Sequence, residues 1–150
     1  LPWFQAQAHL ALLTHALHLA QDIDLDVPDR RAPRRLDLRS DQVTSADARL
    51  HALVDLKEPG PILEALQAMG DHYVDLADDL LRVHPPRGTS DDDLRLWEAT
   101  LGARADQLLV KALRYWDLGE QLWLATGWIG PERAAIEARI ARVTARIEGP

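Results

Sequence analysis

The chain is 150 residues long, with 24 acidic and 17 basic side chains, a formal net charge of −7 and no cysteine. These figures allow one domain with its own core, weigh against a dedicated nucleic-acid binder, and exclude disulfides and thiolate metal sites. No apolar run approaches the ~20 residues that span a bilayer, and the first residues lack a signal-peptide layout, so a soluble cytoplasmic protein without a membrane partner is expected.

Hydrophobic residues make up 47% of the chain. Most are Leu and Ala, which lose little rotamer freedom in a helix. The first segment, PWFQAQAHLALLTHALHLAQD, opens with a proline in the first turn, where proline is favoured. Ala6, Leu10, Leu13, Leu17 and Ala20 recur at helical spacing on one face, and Leu12 and Leu19 add a second. A helix apolar on two sides packs between neighbours. Its polar strip holds His15, His18 and Asp22. Residues 23–45 carry two prolines, alternating charges and no evident period, and read as a long Arg/Pro-rich loop. A short helix is predicted over 46–56 with Ser45 as its cap, stopped by EPGP at 58–61.

The next helix is predicted from Pro61 to about His84. Ile62, Leu66, Met69, Tyr73, Leu76, Leu80 and Val83 form its apolar arc, opposite Glu64, Asp71, Asp75 and Asp78. Ser90 followed by Asp91, Asp92 and Asp93 is an N-cap with acids at the positive end of the helix dipole. The helix it starts is predicted over 91–126, with Gly102 and Gly119 as places for a kink and Gly127 as the stop. Pro131 opens a final helix in which Ile136, Ile140, Val143 and Ile147 make a narrow seam like that of a coiled coil. The expected fold is all-α, a single helical bundle of four main helices plus a short one over residues 1–150.

Within RYWDLGEQLW, residues 114–123, Tyr115, Leu118, Gly119 and Leu122 share one helical face with Trp116 and Trp123 at its margin. Asp117 and Glu120 fall on the other side and read as a solvated face. Asp75-x-x-Asp78 and Asp117-x-x-Glu120 are nevertheless two carboxylate pairs on separate helices, a set suited to Mg²⁺ and a pyrophosphate. The pattern resembles the paired acidic motifs of all-α nucleotide pyrophosphatases. It departs from them in carrying Asp rather than Glu in the first pair, in its wider separation and in lacking nearby basic residues. That resemblance implies a metal-dependent phosphohydrolase centred on these four residues. A second set, His15, His18 and Asp22 with His72, Asp75 and Asp79, offers nitrogen and oxygen ligands to a transition metal if the two helices are neighbours. No Glu-x-x-His pair accompanies it, and no cofactor is expected.

Binding residues are easier to nominate than catalytic ones. Arg30, Arg31, Arg34 and Arg35 supply forks for an acidic partner. Trp97, Arg114, Tyr115, Trp116, Trp123 and Trp128 are the residue types that anchor interfaces. The expected function is a non-catalytic interaction or assembly module, self-associating through its long helix and its last one, with a second copy or another protein as partner. The alternatives are a sensor-type domain for a small ligand, with polar groups such as His15, His18, Tyr73 or Tyr115 inside an apolar pocket, and the phosphohydrolase above.

Overall fold

The computed structural model describes residues 1–27 and 31–149. It contains α1 (Pro2–Gln21), α2 (Ala32–Leu56), α3 (Pro59–Leu81), α4 (Asp91–Thr126) and α5 (Pro131–Glu148), with no strand among the described residues. The all-helical expectation holds, but the long loop does not. Residues 32–45 are the first half of a 25-residue helix, and Ser45 lies inside it rather than at its cap.

The reason is one residue. The inward positions of α2 run Leu36, Arg39, Val43, Ala46, Leu50 and Leu53, at alternating three- and four-residue spacing. Arg39 is only 1% exposed, so a guanidinium stands where an apolar side chain would have revealed the period. Pro33 sits in the first turn, where its missing N–H costs nothing. Ahead of the helix, Leu25 is buried. Asp26 accepts hydrogen bonds from the backbone N–H of His84 at 3.1 Å and from its ring at 2.7 Å, which ties this connection to the segment after α3.

α3 is the central element. It packs against all four other helices, while α1 pairs with α2, and α5 closes over α3 and α4. Two apolar clusters result. One lies between α1, α2 and α3 and takes Ile62, Leu66 and Met69 from α3. The other lies between α3, α4 and α5 and takes Leu63 and Ala77. Trp116, almost fully buried in the second cluster, removes enough apolar surface from water to contribute roughly 4–6 kcal/mol of gross transfer free energy.

α4 runs unbroken for 36 residues. Ser90 Oγ accepts from the Asp93 N–H at 3.2 Å, and Gly127 closes the helix in the left-handed region at φ 69°. Gly119 does not split it. A Cβ there would lie 3.1 Å from Ile136 Cδ1 and 3.4 Å from Leu63 Cδ2, so the bare backbone lets α5 and α3 approach.

Candidate functional site

α2 and α4 stand on either side of α3 and make no direct helix–helix contact. The space between them is a groove of about 1030 Å³. Ile62, Leu66 and Tyr73 of α3 form its floor, Leu50 and Val54 of α2 one wall, and Leu118 and Leu122 of α4 the other. The banks differ in charge. Asp47, His51 and Asp55 line the α2 side, with Lys57 at its C-terminal end, and Lys111 and Arg114 the α4 side.

An aromatic pair lies in the groove. The Tyr73 and Tyr115 rings stack with centroids 5.6 Å apart and planes 17° apart. Lys111 Nζ lies 5.6 Å from the centroid of Tyr73, a cation–π contact. The Tyr115 hydroxyl donates to Asp47 Oδ1 at 3.1 Å and so spans the groove from α4 to α2. Burial raises both phenols above their ordinary range, with the Asp47 charge acting in the same direction. Each tyrosine therefore keeps its proton, and Tyr115 serves as a donor. These groups supply hydrogen bonds and an aromatic surface.

Trp116 and Trp123 belong to the core rather than to an exposed interaction surface or the margin of an apolar face. The inward stripe of α4 is Ala105, Leu109, Ala112, Trp116, Gly119 and Trp123. Tyr115, Leu118 and Leu122 form a second stripe beside it, and this one opens on the groove. Trp128 is half-buried, donates to Glu132 at 3.2 Å and lies over Gly60. Trp97 is half-buried and lines a smaller groove of about 460 Å³ with Leu25, Leu36, Leu80 and Val83. The α5 seam docks within the same chain: Ile136 and Val143 are buried, while Ile140 and Ile147 pack beside them. Trp116, Trp123, Ile136 and Val143 are thus unavailable as partner anchors, because the second core has absorbed them. Arg114 remains exposed at the groove rim. Arg31 and Arg34 are exposed and Arg35 half-buried at the start of α2; Arg30 lies outside the described residues.

The nominated metal ligands do not converge. His15, His18 and Asp22 are exposed on or just past α1, whereas His72 is buried in α3. The α3 carboxylates are partly buried, and arginines meet three of them. Arg139 grips Asp71 with two bonds of 2.6 and 3.0 Å, Arg146 meets Asp78 at 2.7 Å, and Arg39 meets Asp79 at 2.8 Å. Asp75 instead accepts from Gln21 at 3.0 Å. Burial raises its carboxyl above the usual range, and the charges of Asp71, Asp79 and Asp78 add to this. Asp117 accepts from Gln121 on its own helix, and Glu120 is exposed. Among the described residues, no three His, Asp or Glu side chains are grouped so as to hold an ion.

Comparison with protein-family models, curated proteins and solved structures finds no match to this chain. Among the described residues no helix is long and apolar enough to cross a membrane.

Proposed function

We propose that this protein is a non-catalytic docking module whose α2/α4 groove receives an amphipathic helix from a partner protein. One observation carries the reading: two helices of the bundle flank a third with their backbones apart, bridged by the Tyr115–Asp47 hydrogen bond, and the trough between them is apolar along its floor and charged along its banks. A helix laid in such a trough buries its apolar face and leaves its polar face in water. From Ile62 to Tyr73 the floor follows α3 for ~16 Å, room for about three turns with anchors at i, i+3 or i+4, and i+7. The banks select the flanks of that helix. Away from Lys57 at the end of α2, Asp47 and Asp55 favour a basic edge toward α2, and Lys111 and Arg114 favour an acidic edge toward α4. Such charges orient the occupant and speed encounter more than they add affinity.

The test is selection of a displayed library of helical peptides about four turns long against the wild-type protein, with counter-selection on Leu118→Glu. Leu118 is half exposed in the α4 wall, so the substitution adds a charge to the groove without opening the core. Enriched peptides with spaced apolar anchors and one acidic edge support the reading. Enrichment that Leu118→Glu does not abolish, or no enrichment, defeats it.

The tyrosine pair favours a second reading, a site for a small apolar ligand with one polar group, because Tyr73 and Tyr115 face the groove as that alternative requires. It predicts saturable 1-anilinonaphthalene-8-sulfonate fluorescence that Tyr115→Phe weakens, with no peptide selected.

A further inference from the structure

Arginines of α5 meet carboxylates of α3 along the seam between the two helices, and one stretch of that seam is hollow. Asp71 and Asp75 of α3 and Arg139 and Arg142 of α5 line a cavity of about 290 Å³. Its apolar wall is made by Val74, Val143 and the Trp116 indole. Val143 and Trp116 are buried, so they form the deep side, while Arg142 is exposed at the mouth. The four charges do not cancel in pairs. Arg139 holds Asp71 through Nε and Nη2, at 2.6 and 3.0 Å, and donates Nη1 to the Ala135 carbonyl, so its guanidinium is spent. Asp75 and Arg142 face the same cavity, yet neither enters an ion pair among the described residues. Asp75 accepts from Gln21 at Oδ2, which leaves Oδ1 for another donor. Burial and the charges of Asp71, Asp79 and Asp78 raise its carboxyl, and a cation brought beside it relieves that cost. Arg142 keeps its whole fork, a shape matched to a carboxylate.

We propose that this cavity binds a small zwitterion, an α-amino acid with a compact apolar side chain. Its ammonium meets Asp75, its carboxylate meets Arg142, and its side chain lies against Val74, Val143 and Trp116. The charges select this class. A lone anion would find one unspent guanidinium beside two carboxylates, and a lone cation would leave Arg142 unanswered. A ligand with both charges on one carbon answers each group and adds no net charge to the cavity. The volume of about 290 Å³ lies at the lower edge of the roughly 300–1,000 Å³ of small-molecule sites, which suits a single amino acid and not a nucleotide or a peptide. Arg139 locked on Asp71, and Gln21 on Asp75, hold two walls in place before the ligand arrives. The cavity shares no lining residue with the α2/α4 groove, so occupancy of one does not require the other.

L-Valine is the probe, with isobutylamine and isovalerate as analogues that each lack one of its charges. Titrated into the ¹⁵N-labelled protein, L-valine should shift amides of Asp71–Asp75 and Arg139–Val143 with a dissociation constant on the order of 1 mM. Each analogue should bind about tenfold more weakly or worse. Arg142→Gln should weaken L-valine by a similar factor without weakening isobutylamine. Asp75→Asn, which keeps an acceptor for Gln21, should weaken L-valine without weakening isovalerate. Leu118→Glu should leave all three titrations unchanged. No saturable shift up to about 20 mM L-valine, isobutylamine binding as tightly as L-valine, or an Arg142→Gln variant that binds L-valine like the wild type overturns the proposal. Helical circular dichroism of each variant separates loss of binding from loss of fold.

Discussion

The Tyr115 hydroxyl of α4 reaches Asp47 of α2 and donates to it at 3.1 Å, joining two helices that otherwise stand apart across the groove. The bond is only partly buried, so its net worth is modest, about 1–2 kcal/mol for a hydrogen bond to a charged acceptor. Tyr115→Phe keeps the ring stacked on Tyr73 and removes only that link. The expected outcome is a stability loss of this size in urea melts and faster hydrogen exchange along the α2 segment beside Asp47. The exchange is the discriminating readout, because a bond without a bracing role would leave it unchanged.

Gly70 and Trp116 set a second expectation. A Cβ on Gly70 would overlap Nε1 and Cε2 of the Trp116 indole, whose Nε1 donates to the Gln67 carbonyl at 3.4 Å. Alanine gains about 1 kcal/mol of helix propensity, but here it forces a rigid buried ring to move. Overpacking of this kind costs more than the propensity returns. Gly70→Ala should lose about 2 kcal/mol net, a fall of about 4–8 °C in Tm. Combining it with Trp116→Leu should cost less than the sum of the two single changes, since the clash is then relieved.

The ion pair between Arg39 and Asp79 is asymmetric. Arg39 is buried, and its Nε and Nη2 find no protein acceptor, while Asp79 is partly open to solvent and also lies 3.6 Å from Arg82. Removing the anion strands a buried cation; removing the cation leaves a carboxylate that water can reach. Asp79→Ala should therefore destabilise by about 3–5 kcal/mol, whereas Arg39→Met should stay within about 1 kcal/mol of wild type or exceed it. Equal losses from the two variants, measured by chemical denaturation, would refute this asymmetry.

His72 sets the pH dependence. Burial, reinforced by the charge of Arg39 and opposed by that of Asp79, lowers its pKa from 6.5 to about 4. The unfolded chain binds this proton more readily, so the contribution to stability is complete above about pH 6.5 and is lost as pH falls toward 4. The loss is on the order of 3 kcal/mol. Asp75 acts in the opposite sense: its raised carboxyl favours the folded state at low pH and loses that contribution as pH rises through its folded value. Urea midpoints should fall between pH 7 and pH 4.5, and His72→Gln should remove most of the fall. A fall of the same size in His72→Gln would place the acid sensitivity elsewhere.

Particular residues explain what could be read from the sequence. α1, α3, α4 and α5 were legible because Leu, Ile, Val and Trp recur at helical spacing and Pro, Ser and Gly punctuate their ends. The first half of α2 was not, because Arg39 holds an inward position and its partner Asp79 is forty residues away. The groove was hidden for another reason. Periodicity gives the faces of a helix but not which face meets which neighbour, so the face of Tyr115, Leu118 and Leu122 could not be assigned to a groove, nor its margin at Trp116 and Trp123 to the core. The available signal was that α4 carries two apolar stripes side by side, and only one is needed to reach α3 and α5.

The docking account is tested most directly by ¹H–¹⁵N spectra of the labelled protein titrated with a peptide selected on the wild type. The account predicts shifts confined to amides of Asp47–Lys57, Ile62–Tyr73 and Lys111–Thr126, absent in Leu118→Glu. Shifts centred on α1 or α5, or an unchanged titration in Leu118→Glu, would contradict it.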